Sequence, residues 1–148
     1  MWISRRTDYA TRALLTLSLA EGRGPLKTQE IAARTAVPPS TLEQVMLHLR
    51  GAGMVRSERG PAGGYRLNRD PSEITLEEVV RLFQGPLAPI ACATRKHPEP
   101  CAMEAGCSLR DIWSEVRDAT IAILHRTTFE ELARRAGGAW IHGPAVPA

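Results

Sequence analysis

Three cysteines, Cys92, Cys101 and Cys107, fall within sixteen residues, with eight and then five residues between them. Thiolates are soft ligands that select iron–sulfur clusters, zinc or copper(I). The surrounding stretch, 86–107, holds Pro86, Pro89, Pro98 and Pro100 and has no helical or strand period. A loop stiffened by prolines can aim several thiolates inward at modest entropic cost. Cys107 also precedes a predicted helix, whose N-terminal dipole favours a thiolate. Three thiolates leave one of four coordination positions to Asp8, His97, a small molecule or nothing. Two plainer explanations fit less well. A disulfide with one spare thiol suits an oxidising compartment, and three unrelated core residues do not suit so polar and broken a segment. Zinc remains a rival, although its usual paired C-x-x-C spacing is missing.

A second chemistry lies in residues 28–67, where a short helix, a tight turn, a second helix and a glycine-rich basic hairpin follow one another. Thr28 is a candidate cap for the first helix. Ala36-Val37-Pro38-Pro39 stops it, since proline forces its predecessor out of the helical region. Ser40 and Glu43 have capping-box spacing, with Pro39 as a competing first helical residue. Leu42, Val45, Met46 and Leu49 form one apolar stripe. Thr41, Gln44, His48 and Arg50 face the other way, with Glu43 beside them. Such side chains can meet base edges in a major groove. Met54–Glu58 and Gly64–Leu67 read as strands around the turn 59–63. Arg56, Arg59, Arg66 and Arg69 make that hairpin basic, as a phosphate or minor-groove contact needs. The competing explanation is an ordinary hairpin with solvated arginines. It loses ground because the hairpin directly follows a two-helix turn.

The remaining elements must position these two regions. A helix is expected over about 7–20, burying Ala10, Ala13, Leu14, Leu17 and Ala20. Thr75 and Glu78 form a capping box for a helix with Val79, Leu82 and Phe83 inside, which Gly85-Pro86 ends. Ser108, with Asp111 three residues on, opens a long helix to about 125. Its stripe of Leu109, Ile112, Trp113, Val116, Ala119, Thr120 and Ile123 is close to a heptad. This stripe suits a dimer, the alternative being that it packs on its own head. Thr128 and Glu131 cap a last short helix. The expected fold is mainly α with a small β-hairpin wing. It divides into a winged helix-turn-helix head (1–85), a cysteine loop (86–107), a dimerisation helix with the short C-terminal helix (108–136) and a flexible tail (137–148).

The chain has 148 residues, 43% of them apolar, and a net charge of +3. Residues 1–70 carry eleven Lys and Arg against six Asp and Glu, while residues 71–148 carry eight against ten. A basic N-terminal half suits a polyanion. No apolar run is long enough to span a bilayer. Met1–Arg6 lacks the apolar core of a signal peptide, so a cytoplasmic location and no membrane partner are expected. No enzyme signature is present. The GPAGG at 60–64 lacks the Lys and Ser/Thr of a P-loop, and no Ser/His/Asp set has a local signature.

The motifs SRRTDYATRALLTLS (4–18), STLEQVMLHLRGAGMVRSERGPAGGYRL (40–67), EITLEEVVRLFQG (73–85) and the three-cysteine loop with SLRDIW (108–113) resemble those of the iron–sulfur regulators of the IscR and NsrR type. The resemblance covers about residues 3–135. It implies a homodimeric transcription factor on double-stranded DNA with a palindromic operator, read by the helix from Ser40 and by a wing whose Arg59 enters the minor groove. It implies an iron–sulfur cluster on Cys92, Cys101 and Cys107, of 4Fe–4S rather than 2Fe–2S type, with zinc as the alternative cofactor. In the nitric-oxide-sensing branch an aspartate of the partner's first helix completes the ligand set, and Asp8 matches that position. Without the resemblance, Asp8 reads as a helix cap. The IscR branch uses a histidine three residues after the last cysteine, and Arg110 stands there instead. The first cysteine spacing is also longer than in those branches. The expected DNA contacts are Arg5, Arg6, Thr28, Ser40, Thr41, Glu43, Gln44, Arg50, Arg59, Gly60 and Tyr65. The expected function is a cluster-controlled transcription repressor without enzymatic activity. Its rivals are a zinc-bound or cluster-free winged-helix regulator or adaptor, and an iron–sulfur carrier.

Overall fold

A computed structural model describes residues 3–96 and 98–137; His97 and all of the expected tail at 137–148 except Gly137 lie outside them. The first helix, α1, runs Arg5–Leu19, two residues earlier than expected, because Ser4 caps it by accepting from the Thr7 amide at 3.1 Å. Ala10, Ala13, Leu14, Leu17 and Ala20 are buried as the period requires, and Thr7, Leu15, Thr16 and Ser18 are buried too. The helix is covered on several sides: α2 (Thr28–Thr35), α3 (Pro39–Gly51), α4 (Leu76–Gln84) and α6 (Phe129–Ala136) all pack on it.

Two helix starts differ from the sequence reading. Thr28 is the first helical residue of α2 rather than its cap. Lys27 holds the cap position, and its amide donates to Glu30 Oε2 at 2.9 Å. In α3 Pro39 takes the first helical position, so Ser40 lies inside the helix and makes no capping box with Glu43. Proline wins there because its fixed φ suits a first turn whose N–H would have no partner anyway. Between these helices Ala36 sits at φ 54°, a left-handed conformation without glycine's freedom. It turns the chain before Val37 and Pro38.

The hairpin pairs β1 (Val55–Glu58) with β2 (Gly64–Leu67) in antiparallel register, Val55 opposite Leu67 and Glu58 opposite Gly64. Leu26 adds a bridge to Tyr65 through two backbone bonds of 2.9 and 2.8 Å, unforeseen because a single residue has no strand period. Helix α4 has the expected reciprocal box: Thr75 N donates to Glu78 Oε2 at 3.0 Å and Glu78 N to Thr75 Oγ1 at 3.3 Å. Val79 is buried and Phe83 packs against the core as expected, but Val80 is buried in place of Leu82, which is exposed.

Helix α5 (Ser108–Arg126) buries no residue. Beyond it the chain returns to the head. Leu76 N donates to Thr127 O at 2.9 Å and Phe129 N to Ile74 O at 3.0 Å. Phe129 is fully buried and belongs to the same core cluster as Ala10, Leu14 and Ile74. Burying such a ring contributes roughly 2–3 kcal/mol, which fixes the end of α5 to the head. No helix among the described residues is long and apolar enough to cross a membrane.

Candidate nucleic-acid interface and thiol segment

Leu42, Val45, Met46 and Leu49 are buried, so α3 must turn Ser40, Glu43, Gln44 and Arg50 outward, and all four are exposed. Thr41 is half-buried. Leu47 is also exposed on this helix, an apolar member that the polar reading of the face passed over. His48 leaves the group: its Nδ1 lies 2.8 Å from Gln44 O, and its ring lies 5.8 Å from that of Phe83.

The basic hairpin is less free than its composition implies. Arg66 Nε lies 2.9 Å from Glu58 Oε1, and Arg56 Nε lies 3.8 Å from the same oxygen. Arg69 is committed to Glu78 at 3.1 Å and to the Glu73 carbonyl. Burial pushes the Glu78 carboxyl up, but bonds from Arg69 and from the Thr75 amide outweigh it and hold it below its ordinary value. Arg59, at the tip, has no acidic or hydrogen-bonding partner among the described residues. Composition does not separate these arginines, since Arg66 finds its acid across the hairpin and Arg69 finds its own on α4.

The glycines also divide. A Cβ on Gly63 would meet Glu58 O at 2.2 Å, and one on Gly64 would meet Leu26 O at 2.4 Å. Both are therefore required by the hairpin itself, for its turn and for the Leu26 bridge. Gly60, at φ +105°, faces open space beside Arg59. Tyr65 is half-buried, with its backbone held by Leu26. Arg5 and Arg6 are exposed at the start of α1, and Thr28 is half-buried at the start of α2.

The thiols are free. Cys92 lies in a 3-10 turn (Ala91–Ala93) and is half-buried, Cys101 is exposed, and Cys107 is half-buried at the cap position of α5. Their donor chemistry suits a soft metal or cluster. No three His, Cys, Asp or Glu side chains stand together as a metal site among the described residues. Arg110, by contrast, gathers the segment: it donates to the Cys92 carbonyl at 3.3 Å and pairs with Glu104. Asp8 is engaged within its own helix. Arg12 meets both its oxygens, Nη2 to Oδ2 at 2.7 Å and Nε to Oδ1 at 3.2 Å, and reaches on to the Thr35 carbonyl at 3.3 Å. Asp8 thus joins α1 to the end of α2 through Arg12.

A winged helix-turn-helix with an outward α3 and a free basic wing tip defines a class of DNA-binding regulators. Residues 3–135 match the model of the Rrf2 family, described as iron-dependent transcriptional regulators. The chain belongs to this family and is a helix-turn-helix transcriptional regulator. It is 33% identical over 138 residues to the regulator CymR of Bacillus subtilis, covering 93% of this chain and 94% of that one. It is 33% identical over 132 residues to the regulator IscR of Photorhabdus laumondii, covering 89% and 79%. The solved structure of B. subtilis CymR, described as that organism's global cysteine regulator, superposes with a TM-score of 0.80. That match has 32% identity and covers 91% of this chain and 98% of the other.

Proposed function

We propose that the protein is a homodimeric repressor of transcription that reads a palindromic operator with α3 and the wing. The observation that carries this is the sorting of the wing's arginines: among the described residues Arg59 alone of the four is left unpaired, at the tip of a hairpin that follows the outward-turned α3. In this reading Ser40, Thr41, Glu43 and Gln44 enter the major groove, where Glu43 accepts from cytosine N4 and Gln44 pairs with adenine. Leu47 adds an apolar contact to a thymine methyl. Arg59 enters the minor groove with Gly60 permitting close approach. Arg5, Arg6, Arg50, Thr28 and Tyr65 hold the backbone of the duplex. A titration of fluorescent duplexes over a promoter library tests this. The expected result is a preferred palindrome whose affinity falls steeply with salt; no preferred duplex in any form of the protein overturns it.

The finer reading assigns signal reception to the cysteine segment, through an iron–sulfur cluster of 4Fe–4S type held by Cys92, Cys101 and Cys107. Support comes from the three free thiols in one irregular segment and from the family's iron dependence. When bound, such a cluster supplies a centre that reacts with oxygen and nitric oxide. Asp8 of the partner subunit is the proposed fourth ligand, and to serve it must give up its pairing with Arg12. Within the chain, Arg110 holds the Cys92 turn against the start of α5. Anaerobic purification with iron, sulfide and absorption measurements tests the assignment. Any single cysteine to alanine change is expected to abolish the chromophore, and Asp8→Ala to leave a more easily lost one. Zinc without sulfide would establish the zinc alternative. A second reading, a cluster-free regulator, is favoured by the dispersed thiols and the likeness to CymR; stoichiometrically bound iron and sulfide would eliminate it.

A further inference from the structure

Between the end of α4, the segment 85–96 and the side of α5 that carries Arg117 and Ile121 lies a cleft of about 260 Å³. Arg81, Arg95, Lys96 and Arg117 line it, over a floor that includes Leu87 and Ile121. Four cations around one small cleft repel one another unless counter-charges are supplied. The protein supplies two, and neither lines the cleft. Glu77 takes Arg81 at 2.6 Å. A single oxygen of Asp118 takes both Arg95 at 2.9 Å and Arg117 at 2.7 Å. The ammonium of Lys96 has no partner among the described residues. Arg117 is also tied to the Ala93 carbonyl, one residue after Cys92, and only 12% of its side chain is exposed. A cleft lined by one sign of charge over low-dielectric walls focuses potential and raises the local concentration of counter-ions.

We propose that this cleft binds a small organic anion, a phosphate monoester or carboxylate with a short apolar body. Its charged end meets Lys96, Arg95 and Arg117, and its body lies on Leu87 and Ile121. The volume is just below the usual range for ligand sites, roughly 300–1,000 Å³, which limits the ligand to a small molecule. The anion bridges the 85–96 segment to α5 and so acts on the same turn that carries Cys92. The assignment is independent of any cluster and of the DNA-reading surface.

Calorimetric titration of the full chain, in a buffer free of phosphate and carboxylates, tests this with hexyl phosphate, hexanoate, inorganic phosphate and hexanol. One site per chain is expected for hexyl phosphate or hexanoate; the tighter of the two identifies the head group. Hexanol and inorganic phosphate are expected to bind at least tenfold more weakly, because each lacks half of the contacts. An Arg95→Ala, Lys96→Ala double variant should lose at least tenfold in affinity while keeping its thermal midpoint. Arg126→Ala, an exposed cation on the same helix outside the cleft, should bind normally. No binding of either anion at millimolar concentration overturns the proposal, as does unchanged binding by the double variant. Hexanol or inorganic phosphate binding as tightly as hexyl phosphate overturns it too.

Discussion

Arg59 and Gly64 lie five residues apart in the same hairpin, yet they answer to different demands. Arg59 has no acidic or hydrogen-bonding partner among the described residues, so its removal should leave folding intact. Replacing it with alanine is expected to weaken operator binding by roughly 1–3 kcal/mol if it reads a groove, with an unchanged melting temperature. Equal affinity of the variant and the parent for the preferred duplex would exclude the minor-groove role. Gly64 is the reverse. A methyl group there would overlap the Leu26 carbonyl, so the bridge to Tyr65 must open. Gly64→Ala is expected to cost about 1–3 kcal/mol of stability in urea unfolding and to weaken DNA binding by misplacing the wing. Both residues belong to one glycine- and arginine-rich string, and composition alone does not distinguish them. The distinction comes from what each one faces: the Glu58 carboxylate for Arg66, the Leu26 carbonyl for Gly64, and solvent for Arg59.

At the scale of elements, three arginines tie the cysteine segment to α5, in addition to the burial of its Leu87 and Ala93. Arg110 takes the Cys92 carbonyl, Arg117 the Ala93 carbonyl, and Arg95 reaches Asp118. Asp118 is the shared anchor. The Arg117 hydrogen bond, aided by Arg95, holds its carboxyl at about 2, below the ordinary 3.8. A depressed carboxylate contributes stability that is complete above its ordinary value and is lost as pH falls through the depressed one. The tie should therefore persist through the neutral and mildly acidic range and release only near pH 2. A carbon-detected NMR titration of the Asp118 carboxyl checks this, and a midpoint near 4 would show that the tie is absent in solution. Solvent-exposed ion pairs contribute little to stability, so these ties hold the segment lightly. That suits an element proposed to respond to a signal.

At the scale of the molecule, α5 is the element that the described chain leaves uncovered. Leu109, Ile112, Trp113, Val116 and Ile123 are all exposed, whereas the helices of the head leave only single apolar side chains, such as Leu47 and Leu82, exposed. An apolar stripe of this length on a free surface is an aggregation hazard unless a second chain covers it. Light scattering at micromolar concentration is expected to report a dimer, and a Trp113→Glu, Val116→Glu double variant a monomer with much weaker operator binding. One winged helix reads few base pairs, and a twofold pair reads a palindrome. A parent protein that stays monomeric, or a double variant that stays fully dimeric, would remove this interface.

The sequence alone determined the elements whose evidence is local. Periodicity marked the buried stripes of α1 and α3, reciprocal Thr75 and Glu78 marked the start of α4, and Gly and Pro marked the breaks, because each signal acts within one or two turns of chain. The motifs also sufficed to indicate the family. Tertiary structure decided whatever depends on residues distant in the chain. It put Val80 rather than Leu82 inside α4, paired Leu26 with Tyr65, and returned Phe129 to the core beside α1. It brought Arg12, the helical neighbour of Asp8, to the Thr35 carbonyl, and it committed Arg66 and Arg69 to acids while leaving Arg59 without one among the described residues. It also brought Arg81, Arg95, Lys96 and Arg117 around one cleft from two helices and the segment between them. Charge and burial at these positions follow from neighbours that the fold brings close, and no local spacing records who those neighbours are.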